Sequence, residues 1–366
     1  MIVTELTWQH CRNLTGGAIA PAAGVNVICG DNAQGKTNLL ELLWIYTGGR
    51  SFRGARDGEL IELNRMRAAS RMTFTAGGRS QTAEIALYDG RRHCTLNGVA
   101  KKNAAAMVGA FCAVVFAPVH LALVRGGPAE RRRFLDAAIC QANPSYAARL
   151  TQYQRALEQR NALLKAYYHH PSMQDTLPEW DDTLARLASD VTTARRAYLQ
   201  RLQPAAQQTY YGISSEREQL TMTYDAAGWT ADDYSADAYR AALDRARKDD
   251  LGAGFTTVGP HRDDIAIAIN GLPARTYGSQ GQQRSAVLAL KLGEAAVLGE
   301  AIGEAPVILL DDVLSELDGA RQDYLLNQMG GRQVFITCCE ISPVLRMRGG
   351  QAFRMAGGDL TTMQPG

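Results

Sequence analysis

The sequence predicts an α/β fold in which a discontinuous α/β domain carries an inserted, mainly helical lobe. Short apolar segments typical of buried strands occur towards both ends of the chain, at 25–29 and 307–310. Between them, large apolar residues recur at steps of three and four in two stretches, which is the periodicity of helices. Because α/β patterns flank the helical ones, we expect residues 1–140 and 250–366 to form one domain and residues 141–249 to form the lobe.

The individual elements follow from the same two periodicities. Residues 38–46 are apolar on most faces and predict a buried helix after the first strand. Strands are expected at 84–88 and 93–96, with Asn97 and Gly98 as a hairpin turn. The apolar series predicts two antiparallel lobe helices of about 20 residues each, the second ending at Pro204. The further predicted elements are a strand at 265–269, a helix at 285–298 and a strand at 334–337.

Composition limits the class of protein. The chain has 366 residues, 46% of them apolar, and a formal net charge of +2. It can bury a sizeable core, and it has no global basic field, so any contact with nucleic acid needs a local patch. Seven cysteines without a C-x-x-C pair argue against a disulfide framework or a zinc site and favour a reducing compartment.

One segment is long enough to cross a bilayer, because residues 103–124 contain no Asp, Glu, Lys or Arg. Its apolar character comes largely from alanine, and Gly109, Pro118 and His120 interrupt it. A short helix followed by a buried strand at 112–117 is therefore the preferred interpretation. The N-terminus does not resemble a signal peptide, so we expect a cytoplasmic protein without a membrane partner.

Residues 30–37 match the phosphate-binding pattern G-x-x-x-x-G-K-[ST] between a predicted strand and a predicted helix. Backbone N–H groups of such a loop cradle phosphates at the N-terminus of the helix. Lys36 is expected to reach the β- and γ-phosphates, and the Thr37 hydroxyl to bind Mg²⁺. A simple turn with an exposed lysine is the alternative. The predicted nucleotide-binding residues are Gly30, Asp31, Asn32, Ala33, Gln34, Gly35, Lys36, Thr37 and Asn38.

The apolar strand at 307–310 ends in Asp311 and Asp312. Buried strands seldom end in two carboxylates unless a cation or a proton transfer uses the charge. Asp311 is expected in the Mg²⁺ shell, and Asp312 is expected to orient or deprotonate the attacking water. A capped surface loop is the alternative.

The turn YGSQGQQRS at 277–285 precedes a predicted helix and is a second candidate anion site. One P-loop already accounts for the phosphates of a nucleotide. A second such turn is therefore best explained if it completes the site of a partner subunit. An ordinary helix cap is the alternative.

The P-loop at 30–37 is followed along the chain by the turn at 277–285, which we call the signature turn, and by the acidic strand that ends in Asp311 and Asp312. In this order, the three motifs resemble those of ABC-type ATPases. Further stretches resemble the RecF family of bacterial recombinational-repair proteins, and they span nearly the whole chain. After Pro118 the family usually continues with acidic residues, whereas this chain has Val119 and His120. The matching stretches are Arg12-Asn13, GKTNLLE at 35–41, SFR at 51–53 with Asp57 and 59–61, VFAP at 115–118, RRRFLD at 131–136, GPHRDD at 259–264, GSQGQQR at 278–284, LDDV at 310–313 and SELD at 315–318.

The resemblance implies a Rad50/SMC-like ATPase head with an inserted lobe, which forms an ATP-dependent homodimer. It implies a weak, DNA-stimulated ATPase that requires ATP and Mg²⁺, and binding of double-stranded DNA and of single-strand/double-strand junctions. The implied partners are RecR and RecO, and indirectly RecA at single-strand gaps, in DNA repair, replication and the SOS response. A subunit coupled to a membrane transporter is the alternative. The two lobe helices of about 20 residues each are too short for the arms of a long-armed SMC protein.

The resemblance also assigns roles by position. Lys36 and Asp312 would be catalytic, Thr37 and Asp311 would bind the metal, and Thr337 would be the switch residue. Further implied residues are Ser279, Gln280, Gly281 and Gln282 as the signature acting in trans, Ser315 and Asp318 of the D-loop, and Arg53 and Arg56 as DNA-facing residues.

Other prominent residues have simpler explanations. Residues 131–133 either face phosphate or begin a solvated helix. His261 is either a nucleotide sensor or a loop histidine with satisfied hydrogen bonds, and residues 169–170 are expected on a loop surface. Cys338 and Cys339 are expected to be buried, inert thiols rather than groups facing the nucleotide.

Overall fold

The computed structural model describes residues 1–167, 176–226, 229, 233–340 and 350–363. These form two compact units, and the expected α/β fold with a mainly helical insertion is confirmed. The first unit comprises Met1–Leu121, Gln208–Arg217 and Arg284–Gly366, and the second comprises Ala122–Gln207 and Glu218–Gln283. This division by compactness groups residues 122–140 and 250–283 with the lobe. The predicted division at 140/141 and 249/250 stays a prediction.

The first unit contains an antiparallel sheet in the order β2-β1-β4-β5-β6-β7. Buried and exposed residues alternate along β4 and β5, so one face is apolar and the other is open. The turn at Asn97 and Gly98 joins β6 to β7 as expected. The strands are β1 (Ile2–Cys11), β2 (Leu14–Ile19), β4 (Ala68–Ala76), β5 (Arg79–Tyr88), β6 (Arg91–Leu96) and β7 (Val99–Lys101).

A second sheet of the same unit has the order β15-β14-β3-β13-β12-β8, and its strands from β14 to β8 are parallel. Strands β8, β12 and β13 are buried along their whole length, as expected for strands covered on both faces. The strands are β3 (Val25–Cys29), β8 (Ala113–Phe116), β12 (Val307–Asp311), β13 (Val334–Cys338), β14 (Gln351–Ala356) and β15 (Asp359–Thr362).

Helix α1 (Lys36–Ile45) belongs to the main apolar core of this unit. Leu39, Leu40 and Leu43 are fully buried in one cluster with residues of both sheets. The unit is completed by α9 (Gly319–Asn327) and by the parts of two long helices that continue from the second unit, α5 (Leu177–Ile213) and α8 (Gln280–Ile302).

The second unit combines helices with a small antiparallel sheet in the order β11-β10-β9. The sheet was only partly expected, because β9 has no clear alternation in the sequence. The elements are α2 (Ala122–Arg125), α3 (Pro128–Ala142), α4 (Pro144–Ala166), β9 (Leu220–Asp225), α6 (Ala236–Ala253), β10 (Asp264–Ile269), β11 (Leu272–Pro273) and α7 (Ala274–Tyr277).

The predicted end of the second lobe helix at Pro204 is wrong. Helix α5 continues through Pro204 to Ile213. Ala206 and Tyr210 are fully buried and extend the spacing of three and four beyond Leu202, so packing outweighs the one backbone hydrogen bond that proline removes. Residues 104–107 form a short 3₁₀ helix before strand β8, as expected. Within the described ranges, no helix combines the length and the apolarity that a membrane span requires.

A buried ion-pair cluster joins three helices of the second unit. The side chain of Arg160 on α4 is fully buried. Its Nε donates to Asp181 Oδ1 of α5 at 2.7 Å, and its Nη1 donates to Asp250 Oδ2 of α6 at 2.6 Å. Asp250 also accepts hydrogen bonds from the backbone and side chain of Thr257. The cluster therefore fixes the packing of these helices.

We predict that Arg160→Met destabilises the protein by about 3–5 kcal/mol, because it leaves Asp250 buried without its ion-pair partner, while Asp181 keeps only its ion pair with Arg247. Urea unfolding followed by circular dichroism measures this. Arg155→Met is the matched control, because Arg155 is exposed on the same helix. Equal losses for the two variants would contradict the assignment.

Candidate functional site

The chemistry-bearing residues of the first unit lie where three neighbouring parallel strands end. In the sheet register, Asp311 of β12 is opposite Thr337 of β13, and Thr337 is opposite Ile28 of β3. The P-loop follows β3 directly, so its residues and the acidic pair meet at one sheet edge. Carboxyl ends of parallel strands are the usual position of ligand sites in such sheets.

The P-loop has the backbone that its glycines predict. Gly35, at the N-terminus of α1, has a φ of 116°. A Cβ atom at Gly30 would lie 2.2 Å from the carbonyl oxygen of Met355, which no side chain tolerates. Ala33 has a φ of 65°, and Ala33, Asp31 and Asn32 are exposed. The loop is therefore closely packed at its base and open at its tip.

Lys36 lies against the loop that carries it. Its side chain is 7% exposed, and Nζ donates to the backbone carbonyls of Gly30 and, at 2.9 Å, of Asp31. Nζ also lies 3.9 Å from Cys339 Sγ, which in turn lies 3.3 Å from Asn32 Oδ1. Cys338 is buried as expected, whereas the expectation for Cys339 is wrong, because its thiol is exposed and contacts the P-loop.

Two neighbouring segments support the loop. Asn13 accepts a hydrogen bond from Asn38 Nδ2 at 2.7 Å and donates to the carbonyl of Ala33 at 3.3 Å. On the other side, Gly357 N donates to Gln34 Oε1 at 2.6 Å and Gly358 N donates to the Gln34 carbonyl. Sequence reasoning missed the contribution of the β14–β15 turn, because the contact joins segments more than 300 residues apart.

A buried carboxylate supports the first turns of α1. Glu41 is 1% exposed and accepts from Arg12 Nε at 2.6 Å and from the Ser51 hydroxyl. Arg53 lies 3.9 Å from the same carboxylate, and its Nη1 donates to Asn38 Oδ1 at 2.9 Å. Three of the stretches that resemble the RecF family thus meet in one hydrogen-bond network around the P-loop helix.

Asp311 is the centre of the acidic site. Its Oδ1 accepts hydrogen bonds from Thr37 Oγ1 at 2.8 Å and from Thr337 Oγ1 at 2.9 Å. The Thr337 hydroxyl oxygen accepts from the backbone N–H of Asp312 at 2.9 Å. Asp312 has a φ of 52°, and its side chain accepts from Ser315 Oγ at 3.1 Å. Thr37, Asp311, Asp312 and Thr337 are therefore brought together in one hydrogen-bond network.

The charge state of Asp311 follows from its surroundings. Burial raises the pKa of its carboxyl above the ordinary value, and the Asp312 charge raises it further. Hydrogen bonds from Thr37 and Thr337 oppose this rise. A carboxylate and a threonine hydroxyl are oxygen ligands of the kind that Mg²⁺ prefers, so this pair fits the ion. Across the described ranges, no group of three or more His, Cys, Asp or Glu residues is arranged to hold a metal.

The predicted D-loop residues have definite local roles. Ser315 Oγ donates to the Asp312 carbonyl at 2.8 Å. Asp318 is the N-cap of α9, where its side chain accepts from Arg321 N at 3.0 Å. These contacts hold the D-loop directly after the acidic pair.

The signature turn belongs to the second unit and starts α8 earlier than predicted, at Gln280. Ser279 N donates to Gln282 Oε1 at 2.7 Å, and Gln282 N donates to Ser279 Oγ at 3.2 Å. This reciprocal pair is a capping box. Gln280 and Gly281 occupy the first turn of the helix, where backbone N–H groups have no partner within the helix.

Two motifs that resemble the RecF family form a structural network in the second unit. Arg131 is buried and pairs with Asp264 through two hydrogen bonds of 2.6 and 2.8 Å, so it neither starts a solvated helix nor faces phosphate. Arg132 donates to the Asp263 carbonyl. His261 contacts Tyr153 OH at 2.6 Å and the Thr256 carbonyl at 3.0 Å, and burial lowers its pKa to about 4.

The remaining residues from the sequence analysis are placed as follows. Arg53 and Arg56 are exposed in the first unit. Val119 is also exposed, and burial lowers the pKa of His120, whose Nδ1 accepts from the backbone N–H of Ala117. Residues 169–170 lie outside the described residues.

The fold and site define an ABC-type ATPase head. The Smc head domain with an extended coiled coil from Pyrococcus furiosus shares this fold, with a TM-score of 0.56 and 15% identity over 99% of this chain and 96% of that one. A solved structure of the recombination mediator protein RecF with ATP, in the RecFOR pathway, superposes with a TM-score of 0.92 and 34% identity over 99% of this chain and 98% of that one.

Sequence similarity assigns the family. The chain is 39% identical to the DNA replication and repair protein RecF of Heliobacterium modesticaldum, over 99% of both chains. It is 38% identical to that of Syntrophotalea carbinolica, over 100% of both chains. No protein-family model matches. The chain belongs to the RecF family of DNA replication and repair proteins.

We predict that Asp311→Asn stabilises the fold increasingly as the pH rises. Because the folded-state pKa of Asp311 is raised, its protonated form is favoured by folding, and stability is lost as the pH rises through that pKa. Asparagine keeps the acceptor oxygen for Thr37 and Thr337 without the buried charge. Thermal unfolding from pH 4 to pH 8, a range that begins near the ordinary pKa of 3.8, measures the difference from the parent chain. Asp323→Asn, at an exposed position of α9, is the control, and a gain that does not grow with pH would contradict the prediction.

Proposed function

We propose that this protein is an ATP-dependent DNA-binding protein of recombinational repair and replication-fork maintenance, and that it hydrolyses ATP weakly. The observation that carries the proposal is the hydrogen bond from Thr37 of the P-loop to Asp311 of the acidic strand. It joins the phosphate-binding loop to the candidate metal carboxylate. The full-length similarity to RecF proteins favours this function over a transporter-coupled ATPase.

In the proposed site, backbone N–H groups of residues 30–38 bind the phosphates of ATP, and Lys36 exchanges its carbonyl contacts for the β- and γ-phosphates. Thr37 and Asp311 hold Mg²⁺, which neutralises charge on the phosphate oxygens when bound. Asp312 orients the attacking water and accepts its proton. The bond from the Asp312 backbone N–H to Thr337 holds this carboxylate in position.

The second half of the site comes from a partner subunit. The capping box uses the Ser279 oxygen as an acceptor, so the hydroxyl proton can still be donated to a phosphate. The free N–H groups of the first helical turn at Gln280 and Gly281 add donors and a favourable helix dipole. We infer that the signature turn binds the γ-phosphate in trans, next to the partner's D-loop residues Ser315 and Asp318.

This arrangement makes ATP the link between two subunits. Dimer closure uses contacts to the γ-phosphate from both sides, and hydrolysis removes the bridge and lets the dimer reopen. The closed dimer holds double-stranded DNA or a single-strand/double-strand junction, with Arg53 and Arg56 as proposed contacts. Turnover then sets the residence time on DNA, so it is expected to be slow and to increase with DNA.

The proposed biological setting follows from the relatives. The solved neighbours are described as recombination mediators in the RecFOR pathway. We therefore propose RecR and RecO as partners that act with this chain to load RecA at single-strand gaps, in support of the SOS response. These partners and DNA place the proposed function in the cytoplasm. The proposed functional division is an ATPase head of residues 1–140 and 250–366 with a lobe of residues 141–249.

ATP hydrolysis measured against protein concentration, with and without double-stranded DNA, tests this function. We predict that specific activity rises with concentration and with DNA, and that Lys36→Ala has no activity. Asp312→Asn is expected to bind ATP, dimerise and retain DNA while hydrolysis falls about 100-fold or more, because a general base contributes that much. A variant that stays monomeric at saturating ATP, or parent activity that is independent of concentration and DNA, would refute the ATP-gated dimer.

Nucleotide binding itself is testable without turnover. Of the seven cysteines, all within the described residues, Cys339 alone is exposed, and it contacts both Lys36 and Asn32. Bound ATP draws Lys36 towards phosphate and covers this thiol. We predict that ATP slows alkylation of Cys339 by a maleimide about tenfold or more at saturation.

Mass spectrometry of tryptic peptides localises the label, and Cys339→Ser is the control for reaction elsewhere. Lys36→Ala supplies a second control, because ATP should give it little protection. Equal labelling with and without ATP in the parent chain would place Cys339 outside the nucleotide site.

A further inference from the structure

The open face of the antiparallel sheet in the first unit forms a concave cleft of about 1200 Å³, which we call the sheet cleft. One face of strands β4–β6 is buried, with Met72, Ile85 and Cys94 in the core. The opposite face presents small residues to the cleft, among them Ala86 and Thr95. The cleft contains no residue of the P-loop, the acidic pair or the D-loop.

The charge of the sheet cleft is uncompensated and positive. Its two acidic residues are already paired, Glu84 with Arg71 at 3.4 Å and Asp57 with buried Arg92 at 2.6 Å. Four further cations lie at the cleft and join no ion pair with any described residue. These cleft cations are Arg67, Arg91, Lys101 and Lys102. Their charge is complementary to a polyanion such as a phosphate backbone.

The cleft also offers a flat aromatic surface. The rings of Tyr88 and His93 stack with centroids 3.8 Å apart and an angle of 4° between their planes. His93 is exposed, and the guanidinium of Arg67 lies 5.6 Å from the centre of the Tyr88 ring. Stacked rings beside cations are the combination that binds unpaired bases, because bases within a duplex present only their edges.

Two large apolar side chains are exposed on the segment that leads to Arg67 of the cleft. Leu63 and Met66, on the loop before β4, are 85% and 89% exposed. This loop is held in place, since Glu62 N donates to the His10 carbonyl at 2.8 Å and Arg65 N donates to the Glu62 carbonyl at 3.0 Å. Large apolar groups exposed on an anchored loop that continues into a cleft cation suit contact with the faces of bases rather than with water.

We propose that the sheet cleft binds single-stranded DNA, with its phosphates on the cleft cations and its bases on the Tyr88–His93 stack and the apolar loop. This inference rests on the proposed function for the identity of the polyanion. It adds a contact surface that needs neither ATP nor dimer closure. A single-strand/double-strand junction can then be held through its unpaired arm in the absence of nucleotide.

The test is fluorescence anisotropy of a labelled oligothymidylate with the full chain, without nucleotide, over a range of salt. Arg91→Gln/Lys102→Gln is expected to lower the slope of log K against log salt by about 1.4, because each phosphate contact of a single strand contributes about 0.7. Arg79→Gln/Arg354→Gln is the control of equal charge, with both residues exposed and outside the cleft. Its slope is expected to stay within error of the parent value.

Tyr88→Ala separates stacking from charge. We expect about tenfold weaker binding with an unchanged salt slope, and near-parental binding for Tyr88→Phe, which keeps a ring. Equal thermal midpoints for the two Tyr88 variants confirm that the fold is intact. A photoreactive 4-thiothymidine oligonucleotide is expected to crosslink to the β5–β6 hairpin.

Each outcome decides the inference separately from the proposed function. Equal effects of the cleft and control pairs, crosslinks elsewhere, or displacement of the oligonucleotide by polyglutamate as readily as by oligothymidylate would overturn the single-strand site. Lys36→Ala that loses ATP-dependent duplex binding but still binds oligothymidylate would support both proposals. If the parent chain binds the oligonucleotide in the cleft but shows no ATP-dependent binding of duplex DNA, only the ATP-gated clamp is contradicted.

Discussion

The carboxylate of Asp311 is the interaction on which the site depends. It accepts from Thr37 at the start of α1 and from Thr337 at the end of β13, so one oxygen connects three successive strand–loop units of the sheet. Thr37 and Asp311 lie 274 residues apart in the chain, and Asp311 and Thr337 lie 26 residues apart.

Burying the Asp311 carboxylate and holding the backbone beside it in a strained conformation cost free energy, and contacts from the surrounding structure offset that cost. Asp311 is buried with a raised pKa, and Asp312 follows it in a left-handed conformation that residues other than glycine seldom adopt. Gly35 and Ala33 have positive φ as well. Strained backbone and a buried charge persist only where neighbours hold them, and the Asn13, Gln34 and Thr337 contacts supply that support. A binding site that is organised before its ligand binds requires supporting contacts of this kind.

Local sequence patterns predicted the segments that meet at the candidate site, but they did not predict the long-range contacts that support it. The P-loop, the acidic pair and their neighbouring strands were predictable, because phosphate cradles and buried strand ends impose residue types at fixed spacing. The continuation of α5 past Pro204 was not, since the burial of Tyr210 is a tertiary effect. The exposure of Cys339 depends on where the chain turns after β13. Support from the β14–β15 turn was equally hidden, because two glycine N–H groups carry no side-chain signal.

The motifs that resemble the RecF family divide into two physical kinds. At the P-loop and the acidic strand, polar groups surround an edge that is open to a ligand. In GPHRDD and RRRFLD, by contrast, Arg131 and Asp264 satisfy each other, and His261 is neutral with both ring nitrogens in hydrogen-bond contact. Paired charges of this kind leave little capacity for a ligand, whereas removing one partner exposes a buried charge. A motif can therefore identify a family by holding its fold together as well as by performing its chemistry, and only the partners of each side chain distinguish the two roles.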